Sequence, residues 1–159
     1  MINTYFQSPL GLVRITGDDN GVSAISCIDV TTDGQPAEIL PGPVEQAVLQ
    51  LQEYFAGDRK MFDFLINPAG TPFQQNVWRA LLDVPFGTTL SYLALTRRMG
   101  DEKSIRAVAA ANGKNPLWIV VPCHRIIGSD GSLTGYAGGL WRKQWLLEHE
   151  GSFRQMRLF

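Results

Sequence analysis

Three observations predict an α+β fold in two domains for this chain of 159 residues. The first 28 residues hold two apolar, β-branched runs separated by a turn-rich loop, which is the pattern of a hairpin. A break at Asn67-Pro68-Ala69-Gly70 is followed at once by a helix start and then by further helical segments. Charge is also segregated: residues 1–70 carry three bases against nine acids, a net of −6, and residues 71–159 carry eleven against six, a net of +5. The expected organisation is therefore a small N-terminal α/β domain over residues 1–68 and a mainly helical C-terminal domain over residues 69–159.

Taken in order, Leu12–Thr16 and Val22–Ile28 are strands, with Gly17-Asp18-Asp19-Asn20-Gly21 as the connecting loop. Cys27 falls inside the second run and reads as core. Thr31 to Pro43, rich in Pro, Gly and Asp, is a loop. Val44, Ala47, Val48, Leu51, Tyr54 and Phe55 recur at spacings of three and four and predict a helix, stopped by Gly57. Met61 to Ile66 is a candidate strand. Thr71-Pro72-Phe73-Gln74 carries a capping residue, a proline suited to the first helical position and a glutamine that completes a capping box. In that helix Phe73, Val77, Trp78 and Leu81 are expected to face inward. Ser91 caps a helix to Met99 with Gly100 as its stop, and Asp101 or Ser104 caps another to Asn112. Two helices joined by a tight, Gly-containing turn make a helix-turn-helix pattern. In the second, Ile105, Val108 and Ala109 are the expected inward face. Ala107, Ala110 and Ala111, with the basic Lys103, Arg106 and Lys114, are the expected outer one, smooth enough to approach a nucleic-acid groove. Ile119-Val120-Val121 reads as a short buried strand ended by Pro122. Gly128 to Gly139 is a Gly-rich loop, and a last helix runs from about Leu140 to Glu150.

Composition excludes several classes. Hydrophobic residues make up 45% and charged residues 18%, the balance of a globular chain rather than a disordered one. No apolar run approaches the roughly 20 residues that span a bilayer. The start shows no basic n-region with an apolar h-region, so a cytoplasmic protein without membrane association is expected. Two cysteines and two histidines without CxxC or HxxxH spacing give no structural metal site. The excess of bases in the second half suggests a nucleic-acid-facing surface.

The chemistry centres on Pro122-Cys123-His124-Arg125. A cysteine at the end of a rigid element, with a histidine beside it, suits a mounted nucleophile and its base. Glu150 stands at the C-terminus of the last helix, where the macrodipole disfavours a carboxylate by a few tenths of a kcal/mol unless it has a cationic or N–H partner. His124 is the expected partner.

With these residues in place, the chain resembles the O6-alkylguanine–DNA alkyltransferases, also called methylated-DNA–protein-cysteine methyltransferases. The resemblance is dense over residues 71–151. It rests on Thr71-Pro72-Phe73-Gln74, Val84-Pro85-Phe86-Gly87, Ser91-Tyr92, Arg106-Ala107-Val108, Asn115-Pro116, Val121 to Arg125, Gly135 to Gly139 and Lys143 to Glu150, in matching order and spacing. It implies a ribonuclease-H-like first domain and a single-turnover DNA repair protein that works as a monomer without cofactor or metal. Its substrate is double-stranded DNA containing an alkylated guanine, with O4-alkylthymine a second candidate. It implies Cys123 as alkyl acceptor, His124 taking its proton through a water, Glu150 holding His124, Asn115 bracing the nucleophile's turn and Tyr92 donating toward the departing guanine. For DNA it implies Arg106 filling the space of the extruded base, and Ala107, Ala110 and Ala111 lying in the minor groove, with Lys103, Lys114 and Arg125 adding positive charge. For the substrate pocket it implies Ile126, Tyr136, Ala137, Gly138, Lys143 and Trp118. Ala137 and Trp118 depart from residues found in some members, a serine and a small residue or proline, and imply a more apolar, narrower pocket. A DNA-damage flag that binds without chemistry is the first alternative, disfavoured by Cys123 itself. A Cys-His hydrolase is the second, disfavoured by the lack of an oxyanion element.

Overall fold

The computed structural model describes residues 1–29 and 39–152, so most of the expected loop at 31–43 lies outside the described residues. The chain divides into two compact units, Met1–Ala69 with Pro116–Trp118, and Gly70–Asn115 with Ile119–Phe159. Three residues of the region after Asn115 thus group with the first unit.

The first unit is built on an antiparallel meander in the order β1 (Ile2–Ser8), β2 (Gly11–Asp18), β3 (Gly21–Ile28). Alternation puts Val13 and Ile15 of β2 and Ile25 and Cys27 of β3 into the core. Thr16 pairs with Ala24 and Gly17 with Val22, so Ser23 is an extra residue in β3, and this bulge brings Val22 into the core as well. Helix α1 (Gly42–Phe55) lays Val44, Ala47, Leu51 and Tyr54 on this sheet. Each of these four is fully buried, worth very roughly 1.5–3 kcal/mol for a large aliphatic side chain. The buried Gln50 is paired with Asp63: its Nε2 donates to Asp63 Oδ1 at 2.5 Å and its Oε1 accepts from Asp63 N at 3.1 Å. The candidate strand at Met61 to Ile66 is instead an irregular segment. It touches the sheet through one parallel bridge, Val22 with Ile66, because Val22 alone supplies the bonds to Leu65 and Asn67. Leu117 makes a second bridge, to Ile25, with Ile25 N donating to Pro116 O at 2.8 Å and Trp118 N to Ile25 O at 3.1 Å.

The second unit holds α2 (Pro72–Leu81), the two-residue strand β4 (Leu90–Ser91), α3 (Tyr92–Met99), α4 (Ile105–Gly113), the two-residue strand β5 (Ile126–Ile127) and α5 (Leu140–His149). The capping box at the start of α2 is complete: Gln74 N donates to Thr71 Oγ1 at 3.1 Å and Thr71 N to Gln74 Oε1 at 3.0 Å. Val77, Trp78 and Leu81 are buried, but Phe73 is 39% exposed, since it sits in the first turn before the helix meets its neighbours. Trp78 Nε1 donates to Ala111 O at 2.9 Å, which ties α2 to α4. Gly70 lies so close to the Trp78 ring that a Cβ there would approach it to 2.5 Å, so no other residue fits without displacing the indole.

Ser91 caps α3, accepting from Ala94 N at 3.0 Å, and Gly100 ends it at φ 98°. A 3₁₀ turn, Glu102–Ser104, follows. Asp101 accepts from Lys103 N at 3.0 Å, whereas Ser104 gives α4 no side-chain cap. The inward face of α4 is Val108, Ala111 and Asn112, not Ile105, Val108 and Ala109. The helix is turned so that Ala111 is core while Ile105 is 36% exposed.

Ile119–Val121 is not a strand. It is a run of turns in which Ile119 adopts φ 74°. A β-branched residue in the left-handed region is strained. All three side chains are nonetheless buried. Among the described residues no helix is long and apolar enough to cross a membrane.

Candidate active site

The turns after Ile119 lead directly to Cys123. Pro122, at φ −82° and ψ 60°, makes an inverse γ-turn in which Cys123 N donates to Val121 O at 2.8 Å. The fixed φ of proline favours this geometry. Asn115 Nδ2 donates to the same Val121 carbonyl at 2.7 Å. A 3₁₀ turn over Cys123–Arg125 follows, and β5 pairs in parallel with β4. The cysteine thus stands at the junction of two tight turns braced by a buried amide.

The Cys123 side chain is almost wholly enclosed, with the residue 5% exposed. Burial pushes its thiol up to about 11, although a hydrogen bond from Asn115 and the Lys143 charge pull the other way. At neutral pH it is a thiol, and a reaction through the thiolate needs a base. His124, the next residue, is a fully buried imidazole. Burial lowers its pKa below the usual range against the pull of Glu150, so it is a neutral imidazole. Its Nε2 lies 2.9 Å from Glu150 Oε2. An ionised carboxylate only accepts, so Nε2 carries the hydrogen and Nδ1 keeps its lone pair. That Nδ1 is buried and has no hydrogen-bond partner among the described residues.

Glu150, the residue that closes α5, is 5% exposed. Burial would raise its pKa, but His124 and Arg125 hold it down to about 2. Arg125 Nε donates to Oε1 at 2.8 Å and Nη2 to Oε2 at 3.1 Å, a two-pronged grip, while Nη1 donates to Val84 O at 2.6 Å. Lys143 is another enclosed cation. Burial lowers it to about 8, with the Cys123 charge opposing, and its Nζ donates to Ile126 O at 2.5 Å and Thr134 O at 2.8 Å. The Thr134 carbonyl also accepts from the Tyr92 hydroxyl at 3.2 Å. Burial raises Tyr92 above its ordinary range, the Cys123 charge adds to this, and contacts with Thr134 and Asn112 oppose it.

An open cavity of about 570 Å³ lies in this unit, lined by Tyr92, Ile105, Arg106, Ala109, Gly113, Thr134, Gly135 and Tyr136. Its size suits a small organic group, since ligand sites span about 300–1,000 Å³. Cys123 is not part of its lining. Thr134 lies between the two, because it lines the cavity and its carbonyl accepts from Lys143 Nζ at 2.8 Å, the enclosed cation whose charge lowers the Cys123 thiol.

The structure places the expected site residues unevenly. Cys123, His124 and Glu150 form one buried cluster, with Asn115 on the thiol's turn and Tyr92 at the cavity wall. Arg106, Ala107 and Ala110 are exposed on α4, as are Lys103 and Lys114 at its ends. Ala111 is 3% exposed and is not on that surface. Arg125 is 6% exposed and spent on Glu150 and Val84, so it is no ligand for a phosphate. Tyr136 lines the cavity, Gly138 is buried with its carbonyl accepting from Arg142 Nη1 at 3.0 Å, Ala137 is exposed, and Ile126 acts through its carbonyl. Trp118 is half-buried in the first unit. Two contributors carry no sequence signal as site residues: the Thr134 carbonyl, which is backbone, and Asn112. Arg125 was legible only as a cation beside His124.

Two family models and several known proteins are similar to this chain over most of its length. Residues 72–152 match the DNA-binding domain of 6-O-methylguanine DNA methyltransferase, and residues 1–68 match the ribonuclease-like domain of 6-O-methylguanine DNA methyltransferase. The methylated-DNA–protein-cysteine methyltransferase of Methanosarcina acetivorans is 41% identical over 158 residues, covering 96% of this chain and 99% of that one. The crystal structure of the Mycobacterium tuberculosis O6-methylguanine methyltransferase superposes with a TM-score of 0.83 at 40% identity, over 98% of this chain and 96% of that one. A crystal structure of the M. tuberculosis OGT in complex with DNA gives 0.82 at 41% identity, over 94% of this chain and 93% of the other.

Proposed function

The chain belongs to the 6-O-methylguanine DNA methyltransferase family, and from that premise we propose that it is a single-turnover DNA repair protein, moving the alkyl group of O6-alkylguanine in duplex DNA irreversibly onto its own Cys123. O4-alkylthymine is the second candidate substrate. Residues 69–159 carry DNA binding and chemistry, residues 1–68 support them, and the protein works as a monomer in the cytoplasm without cofactor. The observation that carries this reading is the buried Cys123–His124–Glu150–Arg125 cluster, next to a cavity whose wall includes Tyr92 and the exposed side of α4.

The chemistry is displacement at carbon. The sulfur attacks the alkyl carbon, the carbon–oxygen bond breaks, and its electron pair enters the purine. Thiol plus O-alkylpurine becomes thioether plus purine, so the thiol proton in effect replaces the alkyl group. His124 Nδ1 takes that proton through a water. Glu150 stabilises the imidazolium and fixes the tautomer. Tyr92 donates a hydrogen bond to the departing purine. The thioether is not hydrolysed under mild conditions, so one molecule acts once.

A base stacked in a duplex cannot reach an enclosed thiol, so it must be extruded. We assign α3 and α4 as a helix-turn-helix whose exposed Ala107 and Ala110 approach the minor groove, with Arg106 inserted into the stack. Lys103 and Lys114 meet phosphates.

Incubation with a duplex containing O6-methylguanine, followed by peptide mass mapping, tests this directly. One methyl group on the Cys123 peptide is expected, with at most one transfer per protein. Tight binding with unchanged mass would instead identify a damage flag. Arg106→Ala is expected to slow transfer from the duplex by on the order of 10–100-fold, the loss of a few kcal/mol that offset unstacking. The same change should alter transfer from free O6-methylguanine less than about twofold, because nothing is flipped there. Equal losses on the two substrates count against the intercalating role.

A further inference from the structure

Part of the cavity wall is Thr134, Gly135 and Tyr136, in a stretch, residues 132–139, that is neither helix nor strand. Thr134 and Gly135 are exposed and Tyr136 is half-buried, so little packing holds this wall in place. A backbone bond from Gly139 N to Tyr136 O at 2.9 Å fastens it. That N–H belongs to the peptide group joining Gly138 to Gly139. The carbonyl of the same peptide accepts from Arg142 Nη1 at 3.0 Å in a buried contact. One peptide plane is therefore held at its oxygen by Arg142 and holds Tyr136 through its N–H.

A peptide between two glycines turns over more easily than any other, because neither neighbour has a Cβ to obstruct it. Gly139 already stands at φ 89°, in the left-handed region. Rotation of this peptide would break the Arg142 bond and the Tyr136 bond together. Arg142 is built to oppose that. It sits in the first turn of α5 and is 5% exposed, and the Trp141 ring covers its guanidinium, with Cζ 4.6 Å from the ring centroid. A charged donor binds a carbonyl more strongly than a neutral one. It also polarises the peptide, which makes the N–H at the other end a stronger donor toward Tyr136.

We infer that Arg142 is a positioning residue for the cavity wall, its guanidinium fixing the Gly138–Gly139 peptide so that Tyr136 stays in the place that favours small adducts over large ones. The inference rests on the alkyl-transfer reading above, with this cavity taking the extruded base. A fixed wall presents the base to the sulfur without ordering it anew at each encounter. A larger alkyl group needs the wall to yield, and the Arg142 bond opposes that movement. Arg142 therefore speeds transfer of a methyl group and restrains transfer of a bulky one.

Single-turnover transfer from two duplexes, one with O6-methylguanine and one with O6-propylguanine, tests the role. Arg142→Met keeps the apolar stem and removes the donor. It should slow methyl transfer about 10-fold, the loss of one charge-assisted hydrogen bond, while propyl transfer changes less than about twofold. The ratio of propyl to methyl rates thus rises at least about fivefold. Arg142→Lys, which restores a charged donor, should bring the ratio back to within about twofold of the wild type. Trp141→Ala, at a position 54% exposed, keeps the test open should Arg142→Met fail to fold. It bares the guanidinium to water and should move the ratio the same way by about twofold. Equal losses on the two duplexes, which a merely structural role would give, or an unchanged methyl rate in folded Arg142→Met, overturn the role while leaving alkyl transfer standing. So does an unchanged ratio in Trp141→Ala. A wild-type protein whose Cys123 never gains a methyl group overturns both.

Discussion

Cys123→Ala is expected to abolish alkyl transfer outright while duplex affinity stays within about twofold of the wild type. The sulfur is the only atom of the cluster from which a stable thioether can form, and none of its neighbours can replace it. His124 is engaged with Glu150, and Lys143 is a protonated ammonium below about pH 8. The other cysteine, Cys27, is buried in β3 of the first unit. The substitution removes one buried sulfur whose ionisation burial already opposes, so the fold should lose about 1 kcal/mol or less. Binding is expected to survive because the groups assigned to DNA are the exposed residues of α4, not the thiol. Gel-shift titration and mass mapping on the same preparation check the result. Methyl transfer persisting in the folded alanine variant would falsify Cys123 as acceptor.

Glu150→Gln is expected to have the second-largest effect, on stability and on chemistry together. The carboxylate holds three N–H groups: His124 Nε2, Arg125 Nε and Arg125 Nη2. A glutamine keeps the shape and loses the charge, so the Arg125 guanidinium is left enclosed with no counter-charge. Breaking a buried pair from one side costs about 3–5 kcal/mol. The pKa of Glu150 leads to a similar figure. It falls from 4.5 to about 2 on folding, worth on the order of 3 kcal/mol. Because the folded value is the lower one, this stability is present above about pH 4.5 and is lost as pH falls toward about 2. The wild type should therefore lose stability through that acid window, and Glu150→Gln should start lower and show a flatter slope across it. Transfer should also slow by on the order of 10²-fold, since the imidazolium loses its stabilising charge. Urea titrations at several pH values give the first result and single-turnover rates the second. A Glu150→Gln protein with the wild-type acid slope would show that the cluster contributes no such linkage.

What the sequence makes legible and what it hides divide along the range of the interactions. The capping box of α2, the Ser91 cap and the left-handed Gly100 were all readable, because each is settled within four residues. The pairing of Glu150 with His124 was readable by a different route. A carboxylate at the wrong end of a helix needs a partner, and few candidates exist in a chain with two histidines. The Ile119–Val121 run misleads because three consecutive β-branched residues report burial, not conformation. They are buried in turns, with Ile119 at φ 74°. The phase of α4 misleads because alanine sits equally well inside and outside. Only packing against α2, through the Trp78 bond to the Ala111 carbonyl, shows which side is core.

The sequence by itself determined the α+β class and drew attention to Cys123, His124 and Glu150, whose roles are what the family resemblance implies. The class rests on residue type, caps and periodicity, which act locally and are written in order along the chain. Tertiary structure alone decided that Arg125 belongs to Glu150 and not to DNA, and that Ala111 is core. A basic or amide side chain is chemically the same wherever it stands. Its role is set by which groups the fold brings within about 3 Å of it and how completely water is excluded there, because desolvation turns an ordinary ion pair or amide contact into one that cannot be given up.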